Sequence, residues 1–105
     1  MTDCIFCKII NKEISANLIY EDGLIVAFND VHPQAPIHVL VIPKKHITTF
    51  LDLSKSDLLV IERMIEFMQK LIKEKSLDKT GYRLVLNGGS YQHVPHLHWH
   101  LLGDH

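Results

Sequence analysis

From His96 to Leu101 the chain alternates strictly between histidine and an apolar side chain: His96-Leu97-His98-Trp99-His100-Leu101. A repeat of two residues belongs to extended backbone, where successive side chains point to opposite faces; a helix would scatter the same residues around its axis. The pattern predicts a strand with His96, His98 and His100 on one face and Leu97, Trp99 and Leu101 turned to a core on the other. This limits the fold. The chain has to contain a sheet packed on one side and able, on the other, to keep three imidazoles in polar surroundings. A buried imidazole without a partner costs about 1–3 kcal/mol.

The remaining sequence supplies such a sheet. Leu18-Ile19-Tyr20 and Leu24-Ile25-Val26-Ala27-Phe28 are β-prone runs separated by Glu21-Asp22-Gly23, a hairpin signal. Asn29 to Pro36 is a proline-punctuated loop. Val39-Leu40-Val41-Ile42, closed by Pro43, reads as a buried strand, and Tyr82 to Asn87 as another that leads into the turn-rich Asn87-Gly88-Gly89-Ser90. Cys4 to Ile10 reads as a short helix. One long helix starts near Ser54 or Ser56, with Asp57 at its positive end, and finishes at Lys73-Glu74-Lys75. Its apolar stripe is Leu58, Ile61, Met64, Ile65, Met68, Leu71 and Ile72. Strands early and late around one long helix predict an α+β fold on an antiparallel sheet of about five strands. No linker or repeat interrupts residues 1–105, which are expected to form one domain.

Composition excludes several classes. A formal net charge of -1 offers no broad positive field for nucleic acid. No apolar run approaches the roughly 20 residues that span a bilayer. The start, Met1-Thr2-Asp3-Cys4, lacks the basic and apolar segments of a secretory leader. Two cysteines spaced Cys4-x-x-Cys7 fit a reducing compartment, so the expected location is the cytoplasm. The anomaly is histidine, with eight residues, five of them between His93 and His105.

Two chemistries use a row of imidazoles. Neutral rings can ligate a transition metal, usually zinc. Alternatively, one ring attacks as a nucleophile while its neighbours donate hydrogen bonds and move protons. Phosphorus suits a histidine nucleophile, which needs no separate base when neutral near pH 7. Spacing alone leaves both open. The cysteine pair is open too: core thiols on one helix face, a redox dithiol without the βαβ setting that motif wants, or half of a zinc site.

His96 to Leu102 matches His-φ-His-φ-His-φ-φ, φ being hydrophobic, and so resembles the signature of the histidine triad family. Three further segments resemble that family's nucleotide-binding branch in order and spacing: Cys4 to Ile10, Ala27-Phe28-Asn29-Asp30 with Pro33-Gln34-Ala35-Pro36, and His38 to Ile47. The similarity covers nearly the whole chain. It implies a homodimer whose sheets join edge to edge, acting at the α-phosphorus of a purine nucleotide such as AMP or an adenosine 5′-phosphoramidate. The route it implies is a nucleotidyl-histidine intermediate on His98, without an organic cofactor. His100 would donate to a phosphate oxygen and relay a proton with His46; His96 would hold the geometry or bind metal. Asn87 and Gln92 would lie against the phosphate or leaving group, Asp30 against the ribose hydroxyls. Ile5, Phe6, Ile9, Ile14, Phe28 and Val31 would form the slot for the base, although a plain core uses the same residues. For the cysteines, the resemblance implies a closed, structural zinc site of Cys4, Cys7, His46 and His96.

Two departures from the resemblance stand out. The loop Gly88 to Val94 is shorter and carries His93 where relatives have a phosphate-contacting serine or threonine, and no longer tail follows Gly103-Asp104-His105. Among weaker features, Lys44-Lys45 is expected to be a solvated strand end rather than a phosphate patch. His32 and His38 are expected to be satisfied or exposed surface residues. The leading expectation is an enzyme. A nucleotide-binding regulatory or scaffold module with incidental hydrolysis, and a zinc enzyme ligated by the histidine row itself, are the alternatives.

Overall fold

The computed structural model describes residues 4–104. Cys4 caps a short helix, α1 (Ile5–Ile10), its sulfur accepting from the Cys7 amide. Strands β1 (Leu18–Glu21), β2 (Ile25–Asn29) and β3 (Ile37–Pro43) follow as antiparallel neighbours. After two turns of 3-10 helix come α2 (Leu58–Glu74) and a one-turn helix, α3 (Leu77–Thr80). Strands β4 (Tyr82–Val85) and β5 (Trp99–Gly103) complete a five-stranded antiparallel sheet in the order β1-β2-β3-β5-β4. The α+β architecture is the one the sequence predicts.

The centre of the sheet is buried on both faces. Val39 and Val41 of β3, Ile25 and Ala27 of β2 and Leu101 of β5 pack under α2. Val26, Phe28, Leu40 and Ile42 face the other way and are covered by Phe6 and Ile9 of α1. This double burial explains the unbroken apolar run in β3, since a strand covered once would alternate. The helix stripe is narrower than expected. Val60, Met64, Met68, Leu71 and Ile72 are buried, whereas Leu58 and Ile65 are 62% and 45% exposed. The sheet contacts only the arc centred on Met64 and Met68, so apolar residues on the flanks stay uncovered. The α3 turn, absent from the sequence reading, seats Leu77 against Gly103, where a Cβ would come within 2.7 Å of the leucine.

The histidine row departs from expectation in one respect. Strand β5 begins only at Trp99, so His96 and His98 precede it. The ladder to β3 ends at the Val41–Trp99 pair and β4 stops at Val85 opposite His100, leaving no partner strand for 96–98 among the described residues. That stretch is held instead by Leu97 N–H on the Ile47 carbonyl at 2.6 Å. Leu97 and Leu101 still enter the α2 core while His98 and His100 turn away from it.

The basic pair is a structural feature. Lys44 pairs with Glu21 at 2.9 Å and Lys45 with Asp57 at 2.7 Å. In the β1–β2 turn, Asp22 accepts from the amides of Leu24 and Ile25 at 2.7 and 3.0 Å, from the Tyr20 hydroxyl at 2.7 Å, and from Arg63 of α2. Burial alone would raise this carboxyl's pKa, but the donors outweigh it and hold it far below the ordinary range. A depressed carboxylate stabilises the fold above its unfolded pKa of about 3.9, and that contribution is lost as pH falls through the folded value. Asp22→Asn is therefore expected to lower unfolding free energy at pH 7 by about 1–3 kcal/mol in urea titration. The wild-type advantage should shrink below about pH 4.

Candidate active site

On the sheet face opposite α2 lies a cavity of about 720 Å³. Its walls come from α1, β2, β3, β5 and the segment after β4. A cleft of similar size, about 740 Å³, runs between β1 and α2 but contains neither histidine nor cysteine among the described residues, so the chemistry concentrates in the first. Ile5, Phe6, Ile9, Ile14, Phe28 and Val31 line the cavity on the α1 and β2 side, with Asp30 beside them. His98 and His100 also line it, and Asn87, Tyr91, His93 and Val94 form the wall after β4.

Hydrogen bonds fix the proton on each ring. The Nδ1 of His98 lies 2.7 Å from the His96 carbonyl, which can only accept; Nδ1 therefore carries the proton and Nε2 keeps a free lone pair. The edge of Phe6 packs against this ring at 5.1 Å between centroids. Burial pushes the His98 pKa down, with the His96 carbonyl and Asp30 opposing, so the ring is neutral near pH 7. His98 thus presents a neutral, oriented ring with a free Nε2 lone pair.

His100 is set by a longer chain. Gln34 N–H donates to His38 Nδ1 at 3.0 Å, so the His38 proton sits on Nε2. That Nε2–H donates to His100 Nδ1 at 2.9 Å, leaving the His100 proton on Nε2. Asp30 Oδ2 lies 3.4 Å from the same His38 nitrogen and its Oδ1 accepts from the His32 amide. His100 therefore offers an N–H donor beside the His98 ring. Burial, then His98 and His38, push its pKa down to about 4. His38 is the cavity residue that sequence reasoning did not assign to the site. Its signal was register: it belongs to β3, paired with Leu102, two residues beyond His100 on β5. It is a buried, hydrogen-bonded residue rather than a surface one.

His96 and His46 do not line the cavity. His96 is fully buried, donating Nε2–H to the Pro43 carbonyl at 2.9 Å, and its Nδ1 lies 3.3 Å from Cys4 Sγ and 3.6 Å from Cys7 Sγ. His46 Nδ1 lies 3.1 Å from Cys7 Sγ. The expected pairing of His46 with His100 is thus replaced by His38 with His100, because the turn after Pro43 carries His46 to the cysteines. Cys4, Cys7, His46 and His96 bring four ligand atoms within 4.8 Å of one another, close enough to bind a metal ion. Asp30, His38 and His100 form a second such group; the row His96, His98, His100 forms none among the described residues, because His96 belongs to the first group and His100 to the second. Gln92 is likewise turned away: its amide donates to the Thr48 and Val94 carbonyls at 2.7 and 3.0 Å.

A two-face α+β sheet with histidines of unequal role defines a class of protein, and comparison with known proteins agrees. The model of the family described as "Scavenger mRNA decapping enzyme C-term binding" matches residues 3–105. The chain belongs to that family, within the histidine triad superfamily, and is an enzyme. The purine nucleoside phosphoramidase of Escherichia coli K12 is 41% identical over 103 residues, covering 96% of this chain and 87% of the relative. A histidine triad family hydrolase from Legionella pneumophila superposes with a TM-score of 0.92 at 45% identity, covering 98% of this chain and 94% of the other. A histidine triad protein from Clostridium difficile superposes with a TM-score of 0.91 at 43% identity, covering 100% and 93%.

Tautomer-resolved nitrogen NMR tests the hydrogen-bond chain. His100 is expected to show the neutral Nε2–H form from pH 8 down to about 5, with protonation only as pH approaches about 4. In His38→Phe the same ring should lose its fixed tautomer; an unchanged Nε2–H signal would refute the relay.

Proposed function

We propose that the protein is a purine nucleoside phosphoramidase or nucleotidyl hydrolase, acting at the α-phosphorus through a covalent nucleotidyl intermediate on His98. The observation that carries this is the pairing of a free Nε2 lone pair on His98 with an Nε2–H donor on His100 in one cavity. The identity to a named phosphoramidase supports the substrate class.

In this reading the base lies in the slot of Ile5, Phe6, Ile9, Ile14, Phe28 and Val31, with the ribose hydroxyls against Asp30 and the phosphate toward Asn87. His98 Nε2 attacks phosphorus and forms the P–N bond while the bond to the leaving group breaks, its electron pair departing with that group, which leaves protonated. His100 Nε2–H donates to a non-bridging oxygen on which charge accumulates. Water then attacks the intermediate, the P–N bond breaks and its electron pair returns to His98. His38 is a positioning residue that keeps the His100 proton on the cavity side. His46 and His96 have no catalytic contact in this reading, and Gln92 acts by anchoring its loop.

The same proposal assigns zinc to Cys4, Cys7, His46 and His96. In a tetrahedral zinc site with bonds of about 2.3 Å to sulfur and 2.05 Å to nitrogen, ligand S···N separations are about 3.5 Å. The separations here are 3.1, 3.3 and 3.6 Å. The Pro43 carbonyl on His96 Nε2–H is the kind of outer partner that fixes a ligand's tautomer. Without a cation, burial and the neighbouring Cys4 push the Cys7 thiol up to about 11, and a divalent ion would reverse that preference. The ion's part would be structural, tying α1 to the segment before β5.

We further propose a homodimer joined at the β4 edge, where Tyr82 and Leu84 are exposed, and a cytoplasmic location, where the cysteines stay reduced. Among the described residues no helix is long and apolar enough to cross a membrane.

His98→Ala is expected to lower turnover of adenosine 5′-phosphoramidate by at least about 1,000-fold while retaining bound metal, measured by product release and by elemental analysis. Cys4→Ser should do the reverse, losing metal first. Loss of metal together with activity in His98→Ala would contradict the assignment.

A further inference from the structure

The segment between β4 and β5 contains an imidazole that the scheme above leaves unused. His93 lines the cavity with Asn87, Tyr91 and Val94, and its ring is exposed at the rim, whereas His98 is buried on the floor. The other rings of the cavity wall near the reacting phosphorus already have parts in that scheme, His100 giving its Nε2–H to a non-bridging oxygen. His98 is held through the His96 carbonyl, and His38 and His100 are bonded to each other. The His93 ring makes no hydrogen bond or ion pair with another described residue, so both its nitrogens are available. His32 also lines the cavity, but it follows Asp30 and Val31 at the nucleoside end.

The backbone around His93 is fixed although the ring is exposed. Gln92 Nε2 donates to the Val94 carbonyl at 3.0 Å, spanning His93, and to the Thr48 carbonyl at 2.7 Å on a neighbouring loop. Gln92 N–H bonds the Gly89 carbonyl at 3.0 Å, and His96 N–H bonds the Val94 carbonyl at 2.8 Å. Four bonds thus anchor the chain on either side of one residue. The ring is close enough that its charge disfavours protonation of His98.

Displacement at phosphorus proceeds roughly in line, so a group leaving opposite a floor nucleophile moves toward the rim. The proton donors there are Tyr91 and His93. We infer that His93 is the general acid for the leaving amine, fitting this site to nucleoside phosphoramidates of basic alkylamines, whose nitrogen cannot depart unprotonated. The inference rests on the nucleotidyl-His98 reading and deepens it. As the His98–phosphorus bond forms and the phosphorus–amine bond breaks, the electron pair goes to the amine nitrogen, which takes the proton of the His93 imidazolium. In the second half, water attacks phosphorus and gives its proton to solvent, the bond to His98 breaks with its pair returning to Nε2, and neutral His93 takes up a proton from solvent. Both groups end as they began.

A general acid matters only when the leaving group needs a proton. The test therefore compares two substrates of one nucleotide: the adenosine 5′-phosphoramidate of an alkylamine, and the adenosine 5′-phosphate ester of 4-nitrophenol, which departs as a stable anion. His93→Gln and His93→Ser should each lose on the order of 100-fold in kcat on the alkylamine substrate. Each should stay within about threefold of wild type on the ester, whereas Tyr91→Phe should leave the ratio of the two rates unchanged. Equal losses on both substrates, or no loss on either, would overturn the role of His93. A shift of the rate ratio in Tyr91→Phe instead would assign the proton to the phenol and overturn it as well. His98→Ala separates the two layers. If it abolishes both reactions while the His93 variants fail the comparison, only the general acid is wrong; if it leaves turnover intact, the covalent reading fails and this one with it.

Discussion

The bond from His98 Nδ1–H to the His96 carbonyl is the interaction on which the site depends. It settles which nitrogen of His98 is free, and therefore whether a lone pair faces the cavity, as the proposed attack requires. His96 can accept it because the residue is immobilised at its other atoms. Its Nε2–H is held by the Pro43 carbonyl, its Nδ1 faces two cysteine sulfurs, and its own N–H reaches the Val94 carbonyl. A fully buried histidine would ordinarily be an unfavourable core residue. Here each polar atom is satisfied, and the burial makes the backbone it belongs to rigid.

The same logic orders the second imidazole. Gln34, His38 and His100 form a directional chain in which each donor forces the next ring's tautomer, ending with a proton aimed into the cavity. Two rings that look interchangeable in the sequence thus end with opposite hydrogen-bonding character. One offers a lone pair and the other a proton, although both are neutral and both have depressed pKa values from burial. Cys4 and Pro43, outside the cavity, bear on these orientations through His96, and Gln34, on the cavity wall, sets the His38 ring.

Much of the fold was legible because it depends on local periodicity. The hairpin around Asp22, the apolar β3 and the helix after Ser54 each carry their own turn, cap or pattern. What remained hidden depends on long-range pairing. The start of β5 at Trp99 follows from where β3 and β4 end, which no pattern within 96–102 reveals. The exposed Leu58 and Ile65 reflect how wide a strip of sheet α2 meets, and α3 is too short to show periodicity. In the site, residue types pointed to the histidine row and left metal and nucleophile chemistry open; the resemblance singled out His98 and joined the cysteines to His46 and His96. The resemblance in the sequence suggested His46 as the partner of His100; the sheet register placed His38 there instead.

Stereochemistry at phosphorus tests the covalent account most directly. A substrate made chiral at the α-phosphorus with isotopically distinct oxygens can be hydrolysed in labelled water and the configuration of the nucleotide product determined. Attack by His98 followed by attack of water inverts twice, so the account predicts net retention. Net inversion would mean that water attacks the substrate in one step, with His98 serving only to bind or to remove a proton.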